Sequence, residues 1–232
     1  MESCLVVLSG GQDSTTCLFW AKHVLKPKYL HAVTFNYGQK HKVEIASSRV
    51  IADMAGVTSH EVIDIGPILI GSSPLVNDKF SVGRYASVDQ LPQGVEPTFV
   101  PGRNALFLTI AANRAVALGT SEIITGVCEA DFAGYYDCRR IFITKFAEAL
   151  SEGIFGVPDK LSIHTPLMQL TKKQSVELAT QLEGCMEALA YSHTCYNGEI
   201  PPCGECHACL LRMRGFVEAG VSDHLLVRCV NG

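Results

Sequence analysis

Two groups of residues have the types and spacing to do chemistry. Near the C-terminus, Cys195, Cys203, Cys206 and Cys209 are spaced C-x7-C-x2-C-x2-C, with Gly198 and Gly204 between them to allow tight turns. Four thiolates this close suit one tetrahedral structural Zn²⁺ per chain, a site with no coordination position left open for reaction. An iron–sulfur reading competes, because C-x2-C-x2-C also begins the ferredoxin pattern. That pattern continues with a cysteine three residues on and then proline. Here the next cysteine is Cys229, which favours zinc. His193 and His207 stand beside the set as alternative ligands that four cysteines make unnecessary.

The second group is Ser9-Gly10-Gly11-Gln12-Asp13-Ser14, which follows the apolar run Cys4-Leu5-Val6-Val7-Leu8. Glycines let the backbone turn sharply and approach a ligand, and free N–H groups at a helix start favour an anion. Ser9 and Ser14 add hydroxyls. Asp13 would repel a phosphate unless Mg²⁺ lies between them. Neither the Walker lysine pattern nor the dinucleotide fingerprint is present. On pattern alone, an ordinary tight turn capped by Ser14 competes with a nucleotide site.

The elements around these residues alternate. Cys4–Leu8 reads as a central parallel strand, followed by a helix that includes Leu18, Phe19 and Trp20. Tyr29 to Phe35 and Val62 to Ile65 read as strands, with a helix from Val43 to Ala55 between them, ending near Gly56. A buried helix is predicted over Arg103 to Leu118, a fourth strand over Ile123 to Val127 and a helix over Ile141 to Leu150. Alternation of this kind predicts an α/β doubly wound parallel sheet with helices on both faces. Residues 66–101 break the pattern with five prolines and no periodicity, and read either as an active-site lid or as a poorly ordered surface insertion.

Composition sets the limits. The chain has 232 residues, 47% of them hydrophobic and 18% charged, enough for a buried core and incompatible with intrinsic disorder. A mean hydropathy of +0.20 leaves room for an apolar subunit interface. The net charge of −4 disfavours a large nucleic-acid partner. No export or membrane-spanning segment is legible, so a cytoplasmic protein is expected, and ten cysteines there read as thiols or metal ligands, not disulfides.

The Ser-Gly-Gly-x-Asp-Ser loop after a first strand resembles that of the PP-loop ATP pyrophosphatases, whose fold is of the adenine nucleotide alpha hydrolase kind. Further segments are Asn36-Tyr37-Gly38-Gln39-Lys40-His41, Pro101-Gly102-Arg103-Asn104, Gly126 to Arg139 and the cysteine-rich tail. Together, from about Leu5 to Gly220, they resemble the 7-cyano-7-deazaguanine synthases of queuosine-precursor biosynthesis. Lys40, Ala133 and Tyr136 depart from the usual Arg, Ser and Pro.

The resemblance implies a ligase that converts 7-carboxy-7-deazaguanine and ammonia to a nitrile by two ATP-dependent adenylations, with Mg²⁺ accompanying ATP. It implies ATP binding by Leu8, Ser9, Gly10, Gly11, Gln12, Asp13, Ser14 and Thr15. Substrate contacts fall on Tyr37, Gln39, Asn104, Asp131, Tyr135 and Asp137, and catalytic roles on Asp13, Arg103 and Arg139. It also implies a homodimer acting on small molecules, without nucleic acid or membrane. The expected organisation is a PP-loop domain over 1–190 with a small helical zinc module over 191–232 packed on it as one structural unit. Two readings compete with it. One is a tRNA thiolation enzyme, which would need a basic RNA surface, and the other a zinc-ribbon binding module on an inert scaffold, which leaves Asp13 unexplained.

Overall fold

The computed structural model describes residues 1–129 and 134–231. Five strands form one all-parallel sheet: β1 (Ser3–Val7), β2 (Tyr29–Asn36), β3 (Ser59–Asp64), β4 (Glu122–Ile124) and β5 (Ser162–His164), in the order β3-β2-β1-β4-β5. β1 lies in register with β2 from Ser3 against Tyr29 to Val7 against Val33, and with β4 at Leu5 and Val6. The side-chain period of two sends alternate residues of β1 to opposite faces. Cys4 and Val6 join one core with Phe19, Ile51, Val176 and Leu189, whereas Leu5 joins the other with Val33, Leu108, Ala111 and Ile143.

Helices cover both faces, as the alternating pattern predicts. On the first face lie α1 (Gln12–Trp20), α2 (Val43–Ala55), α5 (Lys172–Thr180) and α6 (Cys185–Leu189); on the second lie α3 (Arg103–Ala117) and α4 (Arg140–Phe155). The tail adds α7 (His207–Ala219) and α8 (His224–Asn231). α2 has the bounds read from sequence because Gly56, in the left-handed conformation, returns its N–H to Ala52 and Asp53. β4 is shorter than predicted. Thr125, Gly126 and Val127 leave the strand to line a crevice, although the Thr125 N–H still donates to His164. Among the described residues no helix is long and apolar enough to cross a membrane.

Residues 66–101 are neither a free lid nor a loose insertion. Leu75, Val82 and Val100 are buried against Cys195, Cys206 and Cys209, and the Tyr85 N–H donates to the Glu205 carbonyl. The segment has almost no regular secondary structure, and its described backbone bonds are mostly short internal turns such as Val76 to Ser73 and Phe99 to Glu96.

Candidate active site

The order of the sheet reverses at β1, where β2 and β4 flank it, and at such a switch point the C-terminal strand ends open a crevice. A cavity of about 290 Å³ lies there. One end is the turn between β1 and α1. Its Ser9 and Ser14 hydroxyls are 3.0 Å apart, the Ser9 N–H donates to Ser14 Oγ, and the Thr15 hydroxyl donates to the Gly11 carbonyl. α1 starts after Gly11 with no side-chain cap, so its first N–H groups are available to an anion. Gly10 has φ +92°, and a Cβ there would collide with the Glu44 carbonyl, so the turn and α2 pack with nothing between them. From the other side the His193 N–H donates to the Gly10 carbonyl at 2.8 Å.

Asp13 sits in the first turn of α1, with Oδ2 2.5 Å from Lys172 Nζ and Oδ1 buried without a partner. Lys172 opens α5, whose start is set by a Thr171–Gln174 capping box. That motif is present in the sequence and would have located both helix and lysine.

The other end of the crevice is aromatic. Tyr37 leaves the end of β2 almost fully buried, and Phe107 of α3 stacks on Phe35 and meets Tyr37 edge-on, with ring centroids 4.5 and 5.2 Å apart. Arg103, half-buried at the start of α3, lines the crevice with Tyr37. Burial pushes Tyr37 and Tyr135 up to about 12, so both hydroxyls stay protonated. Burial alone would lower Arg103, but the facing Tyr37, Tyr135 and Tyr196 oxygens outweigh it and keep the guanidinium charged. Tyr135 is fixed through Thr98, at 2.5 Å, and buried Glu96.

Of the residues expected in the site, Leu8, Ser9, Gly11, Gln12, Asp13, Ser14, Tyr37, Arg103, Asn104 and Tyr135 line this one crevice. Gly10 lies in the turn behind it, and Thr15 is buried in α1. Gln39 is buried off the wall, accepting from the Tyr37 N–H and donating to Phe35 and Glu44. Asp137 is also behind the wall, accepting from the Asn104 N–H at 3.2 Å, and burial raises its pKa. Arg139 lies over the Tyr136 ring, 4.8 Å from its centroid. Asp131 and Ala133 fall outside the described residues. Cys128 and Cys138 both reach the crevice, and Cys138 Sγ accepts from Asn104.

The crevice wall also carries residues that sequence reasoning missed: His41, Glu44, Lys172, Thr194, Tyr196 and Arg212. Arg212 is buried in α7, clamps Asp223 through two bonds of 2.6 and 2.8 Å, and donates to Ser192 and Thr194. No local sequence signal marks it, because its partners come from separate elements.

The sulfurs of Cys195, Cys203, Cys206 and Cys209 lie within 4.8 Å of one another, with Cys203 and Cys209 3.9 Å apart. Tetrahedral thiolate ligation at ~2.3 Å places sulfurs a little under 4 Å apart, so the four fit a metal ion. The Cys206 N–H donates to Cys203 Sγ, as amides commonly do to ligating sulfur.

The parallel sheet, its switch-point crevice and the glycine turn at the mouth of α1 define a doubly wound α/β protein of the PP-loop kind, with a four-cysteine cluster that could bind a metal. A family profile described as Queuosine biosynthesis protein QueC matches residues 3–220, and the chain belongs to this family. Curated relatives called 7-cyano-7-deazaguanine synthase include one from Gloeobacter violaceus, 56% identical over 96% of this chain and 95% of its own length. Another, from Chromobacterium violaceum, is 47% identical over 98% and 94%, and one from Laribacter hongkongensis is 45% identical over 98% and 95%. Among solved structures, a 4-thiouridine synthetase–RNA complex with bound ATP is similar at 16% identity and TM-score 0.49, over 99% of this chain and 53% of that one.

Proposed function

We propose that this chain is a 7-cyano-7-deazaguanine synthase: it joins ammonia to the carboxylate of 7-carboxy-7-deazaguanine and dehydrates the amide to the nitrile, each round using ATP and releasing AMP and pyrophosphate. The observation that carries this reading is one crevice with two unlike ends, an anion-binding turn with Asp13 and Lys172 at one and an aromatic pocket with Arg103 at the other. Such a crevice places a nucleotide phosphate against a flat heterocycle. The names of the relatives agree with it.

A carboxylate resists attack because it is anionic and lacks a leaving group. Attack of its oxygen on the α-phosphorus gives an acyl adenylate and pyrophosphate, and ammonia then displaces AMP. In the second round the amide oxygen is adenylated, and AMP departs as the nitrile forms. Leu8 to Thr15 hold the triphosphate, and buried Asp13 Oδ1 is a carboxylate oxygen free to meet Mg²⁺. Tyr37 and Tyr135 face the deazaguanine, Asn104 contacts it, Asp131 accepts its ring and amino N–H groups, and Arg103 and Arg139 oppose developing negative charge. Gln39 and Asp137 act from behind by holding Tyr37 and Asn104.

Zinc on the four cysteines would cross-link the tail to itself, fixing the surface on which Leu75, Val82 and Val100 pack, and would leave no open position for reaction. The shared packing of Leu75, Val82 and Val100 with the cysteines supports one structural unit in place of two independent domains. The protein is proposed to act in the cytoplasm, without nucleic acid, as a homodimer. The mean hydropathy of +0.20 supports the dimer.

Mass spectrometry of the protein incubated with 7-carboxy-7-deazaguanine, an ammonium salt, Mg²⁺ and ATP tests this reading. Nitrile with AMP and pyrophosphate is the expected result. ADP in place of AMP, or no product from folded, metal-loaded protein, would overturn it.

A further inference from the structure

Among the described residues none of 66–101 lines the crevice, yet the segment reaches its wall through Tyr135. The Tyr135 hydroxyl is buried in the segment. It donates to Glu96 Oε2 at 3.4 Å and lies 2.5 Å from Thr98 Oγ1. Its one proton goes to the carboxyl, so the Thr98 hydroxyl is the donor in the shorter bond. Glu96 is 1% exposed and Thr98 fully buried, and the Thr98 N–H donates to the same Glu96 oxygen at 2.8 Å. A buried carboxyl is a costly way to fill space. Here one of its oxygens gathers two donors, and the second of them belongs to a crevice residue.

The ring is held as well as the hydroxyl. Phe99, which does not line the crevice, packs on Tyr135 with centroids 5.3 Å apart and planes 30° apart. Gly134 has φ +78°, and a Cβ there would collide with the Gly94 carbonyl, so the loop that carries Tyr135 lies directly on the segment. Thr98 is tied in turn. Ser73 Oγ donates to the Thr98 carbonyl at 2.9 Å and accepts from the Leu75 N–H, and Leu75 packs with the cysteines. We infer that Glu96 and Thr98 are positioning residues of the substrate pocket, locking Tyr135 so that its ring is a fixed platform for the flat heterocycle of 7-carboxy-7-deazaguanine; this rests on the proposed ligase reaction.

A tyrosine whose proton is spent inside the fold offers a ligand its ring and not its hydroxyl. Polar recognition then falls to other residues of the wall, such as Arg103 and Asn104. A ring fixed before binding need not be ordered during it, which favours the ligand that stacks there. The platform therefore acts on affinity for the heterocycle and not on affinity for ATP, whose triphosphate is proposed to lie at the turn after β1. Acid, amide and nitrile share one ring system, so the same platform serves both rounds.

Steady-state nitrile synthesis, with each substrate varied in turn, tests the assignment. Thr98→Val and Tyr135→Phe should each raise the KM for 7-carboxy-7-deazaguanine by about tenfold while the KM for ATP stays within about twofold. Thr98→Ser keeps the hydroxyl and Glu96→Gln keeps the acceptor, so both should stay within about twofold of the unaltered protein on either substrate. The amide intermediate, supplied as substrate, should show the same rise as the acid. The double variant Thr98→Val with Tyr135→Phe should be no worse than either single change, because both remove one bond. A KM for ATP that rises with that for the heterocycle would mean general loosening and would overturn the assignment. Additive effects in the double variant would mean that the Tyr135 hydroxyl touches the substrate, and would overturn it too. Absence of labelled pyrophosphate exchange into ATP by the unaltered protein, with 7-carboxy-7-deazaguanine present, would overturn the ligase reading itself.

Discussion

Arg212 and Arg84 both fasten the C-terminal tail, in opposite settings. Arg212 is 5% exposed and spends every donor inside the fold, on Asp223, Ser192, Thr194 and the Leu189 carbonyl. The segment it grips, 192–194, is the one whose His193 N–H braces the phosphate-side turn at Gly10. Arg84 is 58% exposed and reaches from the 66–101 segment to Glu199 and Glu205 across solvent. Each makes a clamp of similar length, 2.6–3.0 Å to its carboxylates. The consequences differ because water competes for the outer clamp and not for the inner one. The tail is therefore held to the crevice from within, by the buried arginine and the cysteine cluster, and its surface pairs add little.

Removing the cluster tests this most severely. Cys206→Ser, or chelation, should release one metal equivalent per chain and destabilise by several kcal/mol, as loss of a structural metal does. Metal analysis with thermal melting checks it, and limited proteolysis should then cut within 66–101, because Leu75, Val82 and Val100 lose their cover. Arg212→Met should cost about 3–5 kcal/mol by stranding Asp223. A denaturation curve reads that loss, and the ATP KM should rise as the brace on Gly10 loosens.

At the crevice, Asp13→Ala should lower turnover by roughly 10²–10³-fold with little change in melting temperature. Steady-state kinetics beside a melt separates the two. A smaller effect belongs to Glu96, whose carboxyl is raised above its usual range by burial. A raised folded pKa means that the folded state binds the proton more tightly. Its contribution is full below the unfolded value and is lost as pH rises through the folded one. Glu96→Gln keeps an acceptor for Thr98 and Tyr135, so it should gain on the parent protein in melting temperature as pH goes from about 4 to about 7. Arg84→Ala, at the outer clamp, should leave the melting temperature unmoved, and a clear drop would erase the contrast between the two arginines.

How much of this was legible depended on the range of the interactions. The strand–turn–helix from Ser3 to Trp20 is local: apolar run, glycine turn and helix start are neighbours in sequence, and Leu8, Ser9, Gly11, Gln12, Asp13 and Ser14 line the crevice as a result. The helix from Val43 to Ala55 carries its own stop at Gly56. The cysteine spacing was legible for the same reason. By contrast, β5 is three residues long and α6 five, too short for any periodicity to show. Gln39 and Asp137 lie inside the segments that carry the resemblance, which implies substrate contacts for both; in the structure they stand off the crevice wall, bonded to the Tyr37 and Asn104 N–H groups. Pattern shows residue type but not the direction a side chain takes.

The sequence by itself determined the class of fold, the anion-binding turn and the four-thiolate set, since each rests on residues close along the chain whose backbone needs are set by steric and hydrogen-bonding rules. Only the tertiary structure decided that Lys172 meets Asp13, that Arg212 grips 192–194, that His41 and Glu44 line the crevice, and that 66–101 packs on the tail. Most of these contacts join residues far apart in sequence. Their energies depend on burial, and burial exists only once the sheet and its two cores have formed.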